Sequence, residues 1–220
     1  QEIIKNKNKK IEFSVITNLE TGNSKIFLVG EPIDQYFFEH EKKIKFFCKN
    51  KKNGIIENTN IFIQTFTNPV KVIIVGAVHI AQYLIEFTKN LNFEIILIDP
   101  RKFFATEERF PKIKIVNKWP DEAFKEIKTD SNTALISLTH NPKIDDSALL
   151  HAIKKRFYYI GALGSQNTHS ERCERLKKLG FNKNEIDLIH GPVGIKLGGK
   201  SAPEIALSII AQLILETYKK

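Results

Sequence analysis

The feature that most restricts the fold of this chain is the order of its apolar runs from Lys71 onward. Runs of strand length alternate there with amphipathic runs of helix length. A parallel sheet demands that pattern, because each parallel strand is reached by a crossover that is usually a helix. Strands are expected at Lys71 to Val75, Glu94 to Ile98, Ile113 to Val116, Thr133 to Leu138, Phe157 to Ile160 and Asp187 to His190. Helices are expected near His79 to Asn90, Pro120 to Lys128, Asp145 to Lys155 and Thr168 to Leu179, the last ended by Gly180 at the C′ position. A final helix, about Ala202 to Tyr218, opens with Ser201 and Glu204 at capping-box spacing and Pro203 in its first turn. The expectation for residues 68–220 is an α/β domain with a Rossmann-like, doubly wound parallel sheet.

Residues 1–67 follow a different rhythm. Lys10 to Thr17, Lys25 to Val29, Lys43 to Cys48 and Asn60 to Phe66 alternate or cluster at strand length, between turn segments such as Thr21-Gly22-Asn23 and Lys51-Lys52-Asn53-Gly54. They predict a small β-rich α+β domain with an antiparallel sheet and one helix in Pro32 to Glu41. Thr67-Asn68-Pro69 is the expected linker.

Composition narrows the classes of function. With 220 residues, 42% hydrophobic and 27% charged, the chain can bury a core without disulfides or metals. No apolar run reaches the roughly 20 residues of a membrane helix, and no apolar h-region follows the lysines of Gln1 to Lys10. Neither a membrane nor a secretory signal is expected. Cys48 and Cys173 lack CxxC spacing and supply neither a disulfide framework nor a zinc site, so a cytoplasmic location is the default. The net charge of +9 invites a nucleic-acid partner, yet only five of the 34 basic residues are Arg, whose fork matches phosphate and guanine. The Ile, Lys, Asn and Phe usage of an AT-rich genome accounts for the charge, and no nucleic-acid partner is expected.

Two glycine motifs carry possible chemistry. Val72-Ile73-Ile74-Val75-Gly76-Ala77-Val78-His79 is a buried strand running into a helix through a glycine turn, and Asp99 ends the next strand. A dinucleotide fold places its ribose-binding acid there. Val78 stands where a second glycine would let a pyrophosphate approach, so the motif supports the fold better than it supports NAD(P). Gly194-Ile195-Lys196-Leu197-Gly198-Gly199-Lys200-Ser201 matches the P-loop pattern letter for letter. A P-loop normally opens its sheet, however, and only one helix follows Ser201 here, which the cap already explains.

The ends of parallel strands line one crevice. The chain puts Gly76, Val78 and His79 after its first parallel strand, Asp99 and Arg101 after the second, and Thr139, His140 and Asp145 after the fourth. Gly161, Gly164 and Ser165 follow the fifth strand and Gly194 the sixth. So many small and hydrogen-bonding residues at one edge predict a ligand site. No catalytic residue and no metal ligand stands out among them.

These loops, in this order, resemble the C-terminal domain of the XdhC/CoxI family, accessory proteins of xanthine dehydrogenase, carbon monoxide dehydrogenase and related molybdenum hydroxylases. The resemblance rests on Gly76-Ala77 with His79, Asp99-Pro100-Arg101, Glu108-Arg109-Phe110-Pro111, Thr139-His140 with Asp145, Tyr159-Ile160-Gly161-Ala162-Leu163-Gly164-Ser165, and Pro203-Glu204-Ile205-Ala206. Val78 departs from the family's usual Gly, Asn141 from its Asp, and no basic residue stands near Gln166. The family's Gly-Ser-x-Pro-Arg and Gly-Gly-Gly patterns do not occur in residues 1–66. The resemblance implies a chaperone that binds the molybdenum cofactor (molybdopterin) for a molybdenum hydroxylase client, without turnover of its own. The competing readings are a NAD(P)-dependent oxidoreductase, with His79 or His140 as acid/base, and a P-loop ATPase. The apolar breadth of the last helix, through Ile205, Ile209, Ile210, Leu213, Ile214 and Leu215, adds the expectation of a homodimer.

Overall fold

In the computed structural model, which describes residues 2–8 and 11–219, the chain divides into two units, residues 1–69 and 70–220. The first unit starts with α1 (Glu2–Asn8) and builds an antiparallel sheet from β1 (Phe13–Asn18) and β2 (Ser24–Leu28), then, after α2 (Glu41–Lys49), β3 (Gly54–Ile55) and β4 (Ile61–Phe66). Its spatial order is β2-β1-β4-β3. The β1–β2 hairpin turns where Thr21-Gly22-Asn23 predicts it, with Asn18 Oδ1 accepting from the amides of Glu20 and Thr21. Lys10, at the head of the first expected strand, lies outside the described residues.

One expected strand is a helix. Ile-Lys-Phe-Phe-Cys satisfies a period of two through Ile44, Phe46 and Cys48, and a period of 3.6 through Ile44, Phe47 and Cys48. The helical period prevails: in α2, Ile44 and Cys48 are buried in the core with Phe27, Ile61 and Ile63, and Phe46 is left facing water. The helix expected over Pro32 to Glu41 is correspondingly only a 3₁₀ turn at Gln35–His40, capped by Asp34, whose Oδ1 accepts from the Tyr36 amide at 3.0 Å. Gly54, expected in a turn, begins the short edge strand β3.

The second unit runs β5 (Val70–Val75), α3 (His79–Thr88), β6 (Phe93–Ile98), β7 (Lys114–Val116), α4 (Pro120–Glu126), β8 (Thr133–Ser137), α5 (Pro142–Lys154), β9 (Tyr159–Ala162), α6 (Gln166–Lys178), α7 (Lys183–Ile186), β10 (Ile189–His190) and α8 (Ala202–Tyr218). Every strand pair is parallel and the order is β10-β9-β8-β5-β6-β7. The chain winds outward from β5 to β7, returns to lay β8 beside β5, and winds outward the other way, which is the doubly wound Rossmann order. β5 and β8 are central and covered on both faces, so they read as continuous apolar runs: Val72–Val75 and all of Thr133–Ser137 are buried. Alternate residues divide between two cores. Ile73, Val75, Leu135 and Ile160 pack with Phe124, Leu149 and Leu176 of α4, α5 and α6. Val72, Ile74 and Ile136 pack with Leu84 of α3 and Ile209 and Leu213 of α8.

Three boundaries bear on the site. β9 starts at Tyr159 and takes in Gly161 and Ala162. α5 begins at Pro142, earlier than expected, because the Asn141 side chain caps it by accepting from the Lys143 amide. α7 is set by a capping box between Asn182 and Glu185. No helix among the described residues is long and apolar enough to cross a membrane.

Candidate functional site

Because β5 to β10 are parallel, their C-terminal ends open on one edge, and the turn after β5 meets the loop after β8 at the point where the winding reverses. The meeting is tight. Gly76 holds φ at +109°, its amide donates to the Ile98 carbonyl, and a Cβ there would sit 2.7 Å from Thr139 Cγ2. Only glycine fits both the backbone and the space.

Asp99, at the end of β6, is fully buried. Its Oδ2 accepts from the Ala77 amide (2.7 Å) and Arg101 Nη2 (2.7 Å), its Oδ1 from the Arg101 amide and Nε, both at 2.9 Å. Burial alone would raise its pKa, but the bonds from Arg101 and the Ala77 amide outweigh it and hold the carboxyl below its usual range. The acid at the ribose position is therefore fully engaged with the protein. Arg101, partly exposed and stacked over Phe104, is what this corner offers outward. Arg109 braces the same corner, with Nη1 donating to the carbonyls of Ala77 (3.1 Å) and Phe104 (2.5 Å).

After β8, Thr139 and Ser137 both donate to Asp145 Oδ1 at 2.6 Å. Burial raises the Asp145 pKa and these hydroxyls and Arg172 only partly counter it. His140 is exposed on this loop, and His79 is exposed at the start of α3, where its Nδ1 faces Gln82 Oε1 at 3.2 Å and its ring meets Tyr83 edge-on. Val78 is half-buried at the N-cap of α3.

The β9–α6 connection is less open than its glycines suggest. Gly161 is a buried strand residue between Tyr159 and Val193. Gly164, with φ at +143°, lies against Thr168, and Ser165 caps α6 by accepting from the Thr168 amide at 3.2 Å. The Gly194 amide donates to Gln212 Oε1, which also accepts from Tyr159 Oη, both at 2.8 Å. The P-loop match ends in a closed cap: Glu204 Oε2 accepts from the amides of Lys200 (3.2 Å) and Ser201 (3.0 Å) and from Ser201 Oγ (2.5 Å). A side-chain carboxylate already holds the amides a phosphate would need.

Sequence reasoning missed Arg172. It projects from α6 back to the Leu163 carbonyl, which Nη2 meets at 2.8 Å, and it is 2% exposed, with Nε and Nη1 unpartnered among the described residues. The available signal was its position two helical turns beyond Ser165, from which a side chain leans toward the helix start. A half-open groove of about 660 Å³, lined by Ile85, Lys89, Phe93, Glu94, Pro111 and Lys114, lies by the start of β6, at the opposite end of that strand from these loops.

Comparison with known proteins converges on one family. The XdhC Rossmann domain model matches residues 72–213. A protein of Bacillus subtilis (strain 168), named as a probable subunit of xanthine dehydrogenase, is 28% identical over 165 residues, 74% of this chain and 48% of that protein. The Escherichia coli (strain K12) "Molybdenum cofactor insertion chaperone PaoD" is 36% identical over 99 residues, 45% of this chain and 30% of the relative. The chain thus spans about half or less of the length of these relatives. A crystal structure described as a xanthine dehydrogenase from Bacillus halodurans superposes with a TM-score of 0.75 at 23% identity, covering 99% of this chain and 66% of that one, and so shares the fold.

Proposed function

Since the chain belongs to the XdhC family, whose Rossmann domain it carries over residues 72–213, we propose that it binds the molybdenum cofactor at the C-terminal edge of its parallel sheet and delivers it to a molybdenum hydroxylase. The observation that carries the reading is the coincidence of the family's domain with the crevice at the β5/β8 reversal, where ligands of open α/β sheets bind. The names of its relatives, an insertion chaperone and a component of xanthine dehydrogenase, support the same role.

The residues present fit such a group. A phosphorylated pterin needs hydrogen-bonding side chains and compensation of negative charge. His79 and His140 are exposed at the edge, Arg101 fronts one corner, and Arg172 keeps unpartnered donors beneath another. The bound cofactor supplies the molybdenum chemistry of the client; this chain's residues hold, shield and release it. The engaged carboxylate of Asp99 argues against a dinucleotide ribose in the same place. The proposal includes a cytoplasmic location and a homodimer. Packing against α3 and the sheet absorbs Ile209, Ile210 and Leu213, which leaves exposed Leu207 and Leu215 on α8 as the support for association.

The test is retention. Cofactor released from a molybdenum hydroxylase should co-elute with this protein on gel filtration, and the share retained should fall in Ser165→Tyr and in His79→Ala with His140→Ala while their circular dichroism is unchanged. No retention by the parent chain overturns the reading, and equal retention by the variants moves the cofactor away from this edge.

A further inference from the structure

Arg172 heads the fully buried side chains by size, and a guanidinium cannot escape burial by giving up its proton. Burial lowers its pKa, Asp145 and Asp146 favour its charge, and Arg175 opposes it. Neither carboxylate satisfies it. Asp146 is taken by Arg175, with Nε to Oδ2 at 2.6 Å and Nη2 to Oδ1 at 3.0 Å. Asp145 is turned to the hydroxyls of Ser137 and Thr139. Among the described residues Arg172 thus keeps one neutral partner, the Leu163 carbonyl, and two donors, Nε and Nη1, with none. Buried polar atoms are almost always paired, yet these two donors and the Nδ1 of neighbouring His169 are buried without a partner among the described residues, which leaves room there for an acceptor from outside the chain.

The guanidinium meets the β9–α6 connection, residues 163–165, through the Leu163 carbonyl. Leu163 and Gly164 are half-buried, Ser165 is exposed, and Gly164 has a positive φ. The same loop leads into α6, a helix of 13 residues whose Thr168 amide is capped by Ser165. Helix geometry leaves the amides of Gln166 and Asn167 pointing out of its end, with the positive pole of the dipole behind them. A buried cation with two unpartnered donors and a helix start with two amides thus share one short loop.

We propose that this junction is a receptor for a phosphoryl group on a small ligand. The amides of Gln166 and Asn167 take its outer oxygens; Nε and Nη1 of Arg172 take an inner oxygen once the Leu163 carbonyl swings aside. The inference rests on the reading above in that a phosphorylated pterin carries such a group, but it stands on Arg172 and can fail separately.

The probes are inorganic phosphate and pyrophosphate, titrated calorimetrically into the full chain in a phosphate-free buffer. Saturable binding is expected at one anion per chain, weakened at least tenfold in Arg172→Lys, lost in Arg172→Met, and unchanged in Lys200→Ala. Equal affinity for the two probes assigns a monoester, and a clear preference for pyrophosphate a diphosphate-linked ligand; both support the receptor. Should the variants fail to fold, the Nε–Hε resonance of Arg172 in the labelled parent decides, because phosphate must shift it. No binding by the parent, binding that leaves this resonance unmoved, or loss in Lys200→Ala instead overturns the inference. Cofactor retained by a chain that shows no phosphate effect would sink the receptor and leave the chaperone reading intact, whereas phosphate binding without cofactor retention would do the reverse.

Discussion

The guanidinium of Arg101 closes on the carboxylate of Asp99 as a two-bond fork, Nε 2.9 Å from Oδ1 and Nη2 2.7 Å from Oδ2. With the amides of Ala77 and Arg101 on the same oxygens, the carboxylate clamps the turn after β5 to the end of β6. Asp99→Asn removes the charge and one acceptor, and should cost about 1–3 kcal/mol in urea denaturation at pH 7, the cost of unpairing buried partners. The Asp99 pKa is depressed in the folded chain. Its contribution is therefore present above the ordinary Asp range of about 4 and is lost as pH falls through the folded value. The parent should lose more stability on acidification than Asp99→Asn does.

Asp145 should behave in the opposite sense. Burial raises its folded pKa, so as pH rises above about 4 the unfolded chain gives up its proton first and this group withdraws stability until the folded value is passed. Urea midpoints taken every half unit upward from pH 4 should show that slope in the parent and a flatter one in Asp145→Asn, whose amide oxygen still accepts from Ser137 and Thr139. A double-mutant cycle of Asp145→Asn with Arg172→Met should return a coupling of about 1–2 kcal/mol despite the lack of a hydrogen bond between them.

At Gly76, an alanine meets both a forbidden φ and the Thr139 methyl at 2.7 Å. Gly76→Ala should destabilise by about 1–3 kcal/mol. Adding Thr139→Ser, which removes the methyl and keeps the hydroxyl on Asp145, should recover part of that loss in thermal melts. No recovery would mean that the backbone angle and the contact with the Thr139 amide, 3.2 Å from the new Cβ, set the cost.

NADH should bind weakly, because β-branched Val78 stands at the N-cap of α3 in place of a glycine and Asp99 has no acceptor to spare. Fluorescence titration should show some gain for Val78→Gly. Tight binding by the parent would refute the steric argument.

Lys200→Ala should leave any ATP affinity unchanged, since Glu204 occupies the amides of Lys200 and Ser201. Glu204→Ala should lower the melting temperature through the cap of α8. A large loss of ATP binding in Lys200→Ala would restore the P-loop.

The parallel sheet was legible because its central strands are buried on both faces and announce themselves as unbroken runs such as Val72-Ile73-Ile74-Val75. α2 was not, because Ile44, Phe46, Phe47 and Cys48 fit both periods and only the position of the core decides which of Phe46 and Phe47 goes to water. The positions of Gly76, Asp99 and Thr139 at one edge could be read from strand ends alone. That Asp99 is consumed by Arg101 could not, since a carboxylate two residues before an arginine is equally compatible with an open acid. Arg172 was hidden for a related reason: sequence gives no sign of whether a helical arginine faces solvent or, as here, turns inward beneath the preceding loop.

The outermost strands of the parallel sheet are its shortest, β7 with three residues and β10 with two, and β7 opens on exposed Lys114. Strands so brief present few backbone groups of their own to another chain, and a lysine at the border disfavours a flat apolar neighbour. In a sheet this rich in Ile and Val, brief borders and a charged residue on one of them work against recruiting strands of other molecules, the step by which a cohesive sheet becomes a template for fibrils.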